Sequence, residues 1–377
     1  MPLNQTLICR YCGYDANADT ATHCEICNQP LGASHNSSLL NGSKRSFFLR
    51  WGAVLAGLLV VSGGGYLLWQ NYRVSSRPTP PVSLAPELGL YDSMRTVKNV
   101  PAGLFEYSGA LTFAVLTTQG MNNAITKAHP EFQLRYTEPL NTSPGTDSGI
   151  AMLIDEQLSF SHGGRPLKDA ELNKALSRGF KLEQVPIALD GLALYTHPEL
   201  DLQGLSIAQL QNIFLGKITN WSEVGGPDLE IVPITFDPKK IGTLFNLLFE
   251  GKKDAKLGSN VRTFRDFTAC IRVVAATPGA ISFTSASIVN QQKSVRLLAI
   301  AKDNSNPYIS PVSENGQTNV TAFRDGTYPL TRRLFVFLRR DGSIDEQAGV
   351  AYANFVLSKE GQRIVKKAGF VPLRQVD

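Results

Sequence analysis

Four cysteines carry the clearest chemistry in the chain. Cys9 and Cys12 form one C-x-x-C pair, Cys24 and Cys27 form a second, and eleven residues lie between them. Each pair can close into a tight knuckle that points two thiolates at one centre, and two knuckles complete a tetrahedral sulfur site suited to Zn2+. Gly13 follows the first pair, where a glycine eases the turn. Two disulfides are the competing arrangement. Four thiolates fill a tetrahedron, so His23 beside Cys24 is expected to be a bystander, and a full site leaves no position for catalytic water. The fifth cysteine, Cys270, sits alone in an apolar stretch and reads as a buried small residue. His129, His162 and His197 have no metal-ligand spacing, and no Ser-His-Asp set or close carboxylate pair is recognisable, so catalysis is not expected.

These residues belong to a chain of 377 residues with 43% apolar and 18% charged content. That composition excludes a wholly disordered protein. A net charge of +5 is too mild for a nucleic-acid binder, and residues 1–33 hold only Arg10 as a fixed positive charge. The stretch CRYCGYDANADTATHCEICNQPL resembles the short zinc-ribbon modules at the N-termini of many bacterial proteins. That resemblance implies a structural metal and a protein contact. A unit of residues 1–33 cannot bury enough core alone, so metal would supply most of its stability.

After a linker over 34–47 comes a candidate membrane segment, 48–70. Its uncharged run WGAVLAGLLVVSGGGYLLW occupies 51–69. As a helix this run would span ~28 Å, close to the hydrocarbon thickness of a bilayer. Trp51, Tyr66 and Trp69 stand near the ends, where interfacial aromatics belong. Lys44, Arg45 and Arg50 precede the run and Arg73 and Arg77 follow it, which narrowly favours a cytoplasmic N-terminus. Reduced thiols on the cytoplasmic side favour the same orientation. A cleaved signal peptide fits poorly, because the run is long and begins about 50 residues into the chain. Residues 71–101, with RPTPPVSLAP, read as an extended stalk. The chain is therefore expected to be a single-pass protein of the inner membrane with its C-terminal part outside the cytoplasm.

Residues 102–377 alternate short apolar strands with helices, the pattern of an α/β fold. Strands are expected at 111–113, 132–136, 230–236, 279–284 and 333–338, and extended chain at 185–196. Helices are expected at 149–158, from Ser206 with its Gln209 capping box, at 242–250, 346–357 and 359–368. The blocks RPLKDAEL, VPIALDGLALY, SIAQLQNIFLGKITNWSEVGGPDLEIVPITF, TPGAISFTS, TYPLTRRLFVFLRRDG and FVLSKEGQRIVKKAGFVPL together resemble the periplasmic phosphate-binding protein family of the ABC phosphate transporter (PstS-like). The resemblance covers 105–374 and implies a two-lobed type II periplasmic-binding-protein fold with two crossing strands. One lobe would hold 103–190 and 310–377, the other 191–305, with ligand in the cleft between.

The same resemblance implies a ligand site. GALTF places Thr112 and Phe113 at a helix start, PGTDSGI places Thr146 at the family's hydroxyl position, and GGRPL retains Arg165 while Gly163 and Gly164 replace two serines. In FDPKKIGTLF, Gly242 and Thr243 match the family, but Asp237 stands for its arginine and Ile241 for its serine. A carboxylate near a dianion is repulsive by ~1 kcal/mol or more. Lys239 and Lys240 could offset this without a planar fork, and Arg265 or Arg272 could stand in for the lost arginine. Plainer roles stand beside each: helix caps for Thr112 and Thr243, a loop hydroxyl for Thr146, a surface ion pair for Arg165, solvated charge for the lysines.

The expectation is a membrane-anchored extracytoplasmic binding protein for phosphate or a related oxyanion, serving an ABC permease in uptake, or sensing. The alternative is a signalling or scaffold protein whose degenerate binding domain is coupled to a cytoplasmic partner of the ribbon. Residues 102–377 carry 29 Lys+Arg against 27 Asp+Glu, so anion affinity would have to come from local donors rather than net charge.

Overall fold

The computed structural model describes residues 87–236, 242–249, 255–304 and 307–376, with residues 8, 9, 14, 17, 21–26 and 31 near the N-terminus. The expected linker, membrane segment and most of the stalk lie outside the described residues. Among the described residues no helix is long and apolar enough to cross a membrane.

A single long strand organises the C-terminal domain. Strands are numbered in chain order: β1 Gly103–Gly109, β2 Phe132–Tyr136, β3 Phe160–Gly163, β4 Lys181–Thr196, β5 Gly204–Ser206, β6 Val232–Phe236, β7 Arg262–Phe264, β8 Ala280–Ser285, β9 Arg296–Ala301, β10 Thr331–Arg340 and β11 Val371–Pro372. From Val185 to Thr196 every residue of β4 is buried, as the near-continuous apolar run predicts for a strand covered on both faces. The N-terminal half of β4 pairs antiparallel with β10, and its C-terminal half pairs antiparallel with β8 and β9. The path β2-β1-β3-β10-β4-β8-β6-β7 therefore runs from one lobe into the other through β4.

In lobe 1, β1 lies parallel to β2 and β3, and β10 closes against β3 in the antiparallel sense. In lobe 2, β6 lies parallel to β7 and β8, and β5 to β9. The return from lobe 2 is not the second crossing strand expected. It is an irregular path after β9, tied by the bridges Ile300↔Ile309 and Val312↔Thr318, that leads to the helix Val320–Arg324.

Helices cover the sheets where sequence signals start them. Ser206 caps Ile207–Phe214, accepting from the Gln209 amide, while the Gln209 side chain accepts from the Ser206 amide in return. Ser343 caps Ile344–Leu357, a helix buried along most of its length. Buried Gln362 ties the C-terminus to the sheet: it donates to the Ile187 and Val356 carbonyls and accepts from the Leu373 amide.

Two expectations shift here. The stalk gives way to packed chain by residue 87: Met94 and Val97 are buried, the Glu360 carboxylate accepts from Ser93 Oγ and Met94 N, and Lys359 N donates to Tyr91 O. Residues 111–113 are a 3-10 turn rather than a strand. Gly109 ends β1 at φ +129°, Ala110 N–H donates to His162 O, and Phe113 N–H closes back on Ala110 O.

The described N-terminal residues touch the same domain. Tyr14 Oη donates to Arg324 O at 3.2 Å, and the Arg324 guanidinium lies 5.7 Å from the Tyr14 ring centre.

Close backbone approach sets the helix Thr146–Ile154 against β1. A Cβ on Gly149 would collide with Ser161 Oγ and lie 2.7 Å from Gly109 Cα. Gly→Ala inside a helix ordinarily gains about 1 kcal/mol of propensity. Here overpacking against backbone reverses the sign, and Gly149→Ala should destabilise by about 1–3 kcal/mol. Urea denaturation of the variant checks this, and a neutral or stabilising result would mean the helix can move away freely.

Candidate functional site

Between the lobes lies a cavity of ≈ 990 Å³. One wall comes from Gly164, Arg165 and Pro166 after β3, another from Thr331, Arg332 and Arg333 on β10, and the lobe 2 wall from Phe245, Asn246 and Leu247 on the helix Gly242–Leu248. The two lobe 1 walls grow out of strand ends, and the lobe 2 wall is the last turn of its helix.

The turn after β1 buries Thr112 and Phe113. Thr112 Oγ1 accepts from Arg332 Nη2 at 3.2 Å. The Phe113 ring stacks on His162, with centroids 4.2 Å apart and an interplanar angle of 13°. Thr146 is the first residue of its helix, which starts and ends earlier than the expected 149–158. Its buried hydroxyl accepts from Gly164 N–H at 3.2 Å, joining its helix start to the loop after β3, and none of Thr112, Phe113 and Thr146 is among the residues that line the cavity.

Arg165 lies at the cavity, but its donors are spent within lobe 1. Nε donates to Asp147 at 3.0 Å, Nη1 to Pro166 O at 2.7 Å and Glu171 at 3.0 Å, and Nη2 to both Asp147 and Glu171. A guanidinium has five N–H groups, and all are used. Burial opposes the charge on Asp147, but hydrogen bonds and attraction from Arg165 and Lys168 win and hold its carboxyl below the usual range. Arg165 thus takes the ion-pair role set beside the ligand role.

Gly242 and Thr243 open the helix Gly242–Leu248 on the opposite wall. Their side chains, and Asp237, Lys239, Lys240 and Ile241, lie outside what the structure describes. Neither Arg265 nor Arg272 is among the described residues that line the cavity. Arg265 is 87% exposed and paired to Asp266 at 2.9 Å, and Arg272 is exposed on the helix Phe267–Ala276.

A buried network that sequence reasoning missed stands behind the site. Arg332 on β10 faces Asp190 on β4 in register. Arg332 Nε and Nη2 donate to Asp190 Oδ2 at 3.0 and 2.7 Å. Ser285 Oγ donates to Asp190 Oδ1 at 2.7 Å and lies 2.7 Å from Ser287 Oγ. Thr112 of lobe 1 is so connected, through the crossing strand, to Ser285 of lobe 2. The available signal is a single acid in VPIALDGLALY and a base in TRRLFVF: a charge inside a buried apolar strand needs a partner.

Cys270 is buried, as expected, and burial pushes its thiol up to about 12. Of the four cysteines expected at zinc, Cys9 and Cys24 are described and both are buried, while Cys12 and Cys27 lie outside the described residues. The Ile26 amide donates to Cys24 Sγ at 3.4 Å. An N–H aimed at sulfur from two residues on favours a thiolate, so the local backbone fits a metal knuckle. No group of three or more His, Cys, Asp or Glu side chains is placed to hold a metal among the described residues.

Comparisons with known proteins agree on the domain. The PBP superfamily domain model matches residues 101–360, and the chain belongs to that superfamily. The phosphate-binding protein PstS of Staphylococcus epidermidis is 27% identical over 233 residues, covering 60% of this chain and 67% of that protein. PstS of Staphylococcus aureus is 26% identical over 232 residues, with the same coverage. Two solved structures share the fold. A Clostridium perfringens protein assigned as a phosphate ABC transporter substrate-binding protein, with bound phosphate, gives a TM-score of 0.58 at 23% identity over 72% of this chain and 99% of its own. An ABC-type phosphate transport receptor from Vibrio cholerae gives 0.56 at 21% identity over 72% and 100%.

His162 at the end of β3 offers a pH test of this lobe. It is buried among Phe113, Tyr107, Phe160 and Tyr352, its Nε2 has no hydrogen-bond partner, and burial pushes its pKa down to about 3. The folded protein keeps the ring neutral while the unfolded chain binds a proton near pH 6.5. Stability from this residue is therefore full above pH 6.5 and is lost progressively toward pH 3. Between pH 6.5 and 4.5 the loss is about 2–3 kcal/mol. His162→Phe should remove that part of the acid sensitivity, and melting curves at the two pH values check it.

Proposed function

We propose that this chain is a membrane-anchored, extracytoplasmic binding protein for phosphate or a related oxyanion, serving ABC-type uptake or sensing. The observation that carries the reading is the two-lobed cleft of a PBP superfamily domain, with Gly164, Arg165 and Arg332 on its lobe 1 wall and the Thr112 hydroxyl bonded to Arg332 behind it. A compact anion needs such donors converging from small elements. The PstS relatives are named for phosphate binding, which supports phosphate as the ligand and binding rather than catalysis as the role. Thr112, Phe113, Thr146, Gly242 and Thr243 are the proposed contacts. Arg165 would join them only by exchanging its carboxylate partners for ligand.

The membrane anchor is proposed from the uncharged run at 51–69, and the cytoplasmic N-terminus from the flanking charges and the thiols. For the N-terminal module we propose structural Zn2+ held by Cys9, Cys12, Cys24 and Cys27. The amide aimed at Cys24 Sγ supports it. When bound, the ion would supply stability and no reaction step.

Titration of residues 86–377 with phosphate should give saturable heat and a raised melting temperature. Neither effect at millimolar phosphate would end the phosphate reading.

One observation favours the second reading, a scaffold with a degenerate site: all five Arg165 donors are spent on protein groups. Replacing Cys24 by Ser should reduce bound zinc from about one per chain toward zero, measured by elemental analysis. Phosphate affinity should not change with it. In the scaffold reading the same variant also loses its cytoplasmic partner in pull-down. Retention of every partner by the zinc-free variant would remove that reading.

A further inference from the structure

We propose that Arg332, rather than Arg165, supplies the guanidinium that meets an anion in this cleft. The inference deepens the oxyanion-binding reading and rests on it.

Both arginines line the same cavity. They differ in what their nitrogens already hold. Arg165 has no N–H left. Arg332 uses one edge only: Nε and Nη2 meet Asp190, and the second Nη2 proton meets Thr112 Oγ1. The two N–H groups of Nη1 have no partner among the described residues. The side chain is 6% exposed and Asp190 is fully buried, so the guanidinium cannot swing to another rotamer without breaking a buried pair.

The consequence for a ligand is directional. Asp190 cancels the net charge of Arg332, and what reaches the cavity is a pair of fixed N–H dipoles rather than a loose cation. Arg332 also sets Thr112. A hydroxyl has one proton and two lone pairs. With a lone pair held by Arg332, the Thr112 proton is left to donate elsewhere, and an anion placed at Nη1 is a suitable acceptor.

The second side of this network gives Arg332 a positioning role as well. Asp190 is held by Ser285 of lobe 2, so the guanidinium plane is fixed from both lobes. A ligand contact at Nη1 would be felt by groups from both.

Titration calorimetry with inorganic phosphate on the full chain in detergent tests the proposal. Wild type should bind. Arg332→Lys keeps a charge for Asp190 but loses the Nη1 pair, and should weaken phosphate at least about tenfold while the protein stays folded. Arg165→Lys should stay within about threefold of wild type, since its fork serves Asp147 and Glu171. If wild type binds no phosphate, the oxyanion reading fails. If wild type binds and Arg332→Lys binds equally well, only the present inference fails. Loss of affinity in Arg165→Lys alone overturns it in favour of Arg165. If Arg332→Lys is unfolded by circular dichroism, the wild-type protein crystallised with phosphate decides. Arg332 Nη1 within about 3 Å of a phosphate oxygen supports the proposal, and phosphate held elsewhere overturns it.

Discussion

Asp190 and Arg332 face each other on β4 and β10 where the polypeptide passes from one lobe to the other, and burial leaves neither a hydrated alternative. Removing one partner of such a pair costs about 3–5 kcal/mol, because the survivor stays charged and dry. This pair helps to fix the strand register alongside apolar packing: a one-residue slip of β10 on β4 would turn Arg332 to the face opposite Asp190. Thr112 and Ser285 satisfy what remains of the two groups. The position of the 3-10 turn in lobe 1 and of the β8 end in lobe 2 follow from one buried contact.

The same logic governs the charge of the cleft. Arg165 is neutralised by Asp147 and Glu171, and Arg332 by Asp190. The domain has a net charge of only +2, and these two cavity arginines add no uncompensated charge for an anion. Binding through oriented N–H and O–H groups is the arrangement left, and it depends on tightly held geometry. Close glycine contacts supply that geometry. Gly149 lets the Thr146 helix lie on Gly109, and Gly163 leaves no room for a Cβ between Phe337 and Thr146.

Much of this is legible from residues alone. The continuous apolar run around VPIALDGLALYT marks a strand buried on both faces, and Ser206 with Gln209 marks a helix start, because both signals are local. The site is less legible because its chemistry is not local. The partners of Arg165 lie 18 residues before it and 6 after it, which no spacing rule reaches. Asp190 and Arg332 are separated by 142 positions and become neighbours only once β10 is laid against β4. Leu111, Thr112 and Phe113 suit a strand by propensity, yet the ladder has already ended at Gly109.

The N-terminal contact and the proposed topology cannot hold in one chain at once. Tyr14 meets Arg324 at 3.2 Å. A bilayer would separate the same two groups by about 30 Å of hydrocarbon. An anchored chain would have to surrender that contact, whereas the Arg324 bond to Pro372 O lies wholly within the large domain. Glu25 and Ile26 line the cavity, and Arg333 Nη2 donates to Glu25 O, so an anchored chain would lose that part of the wall as well.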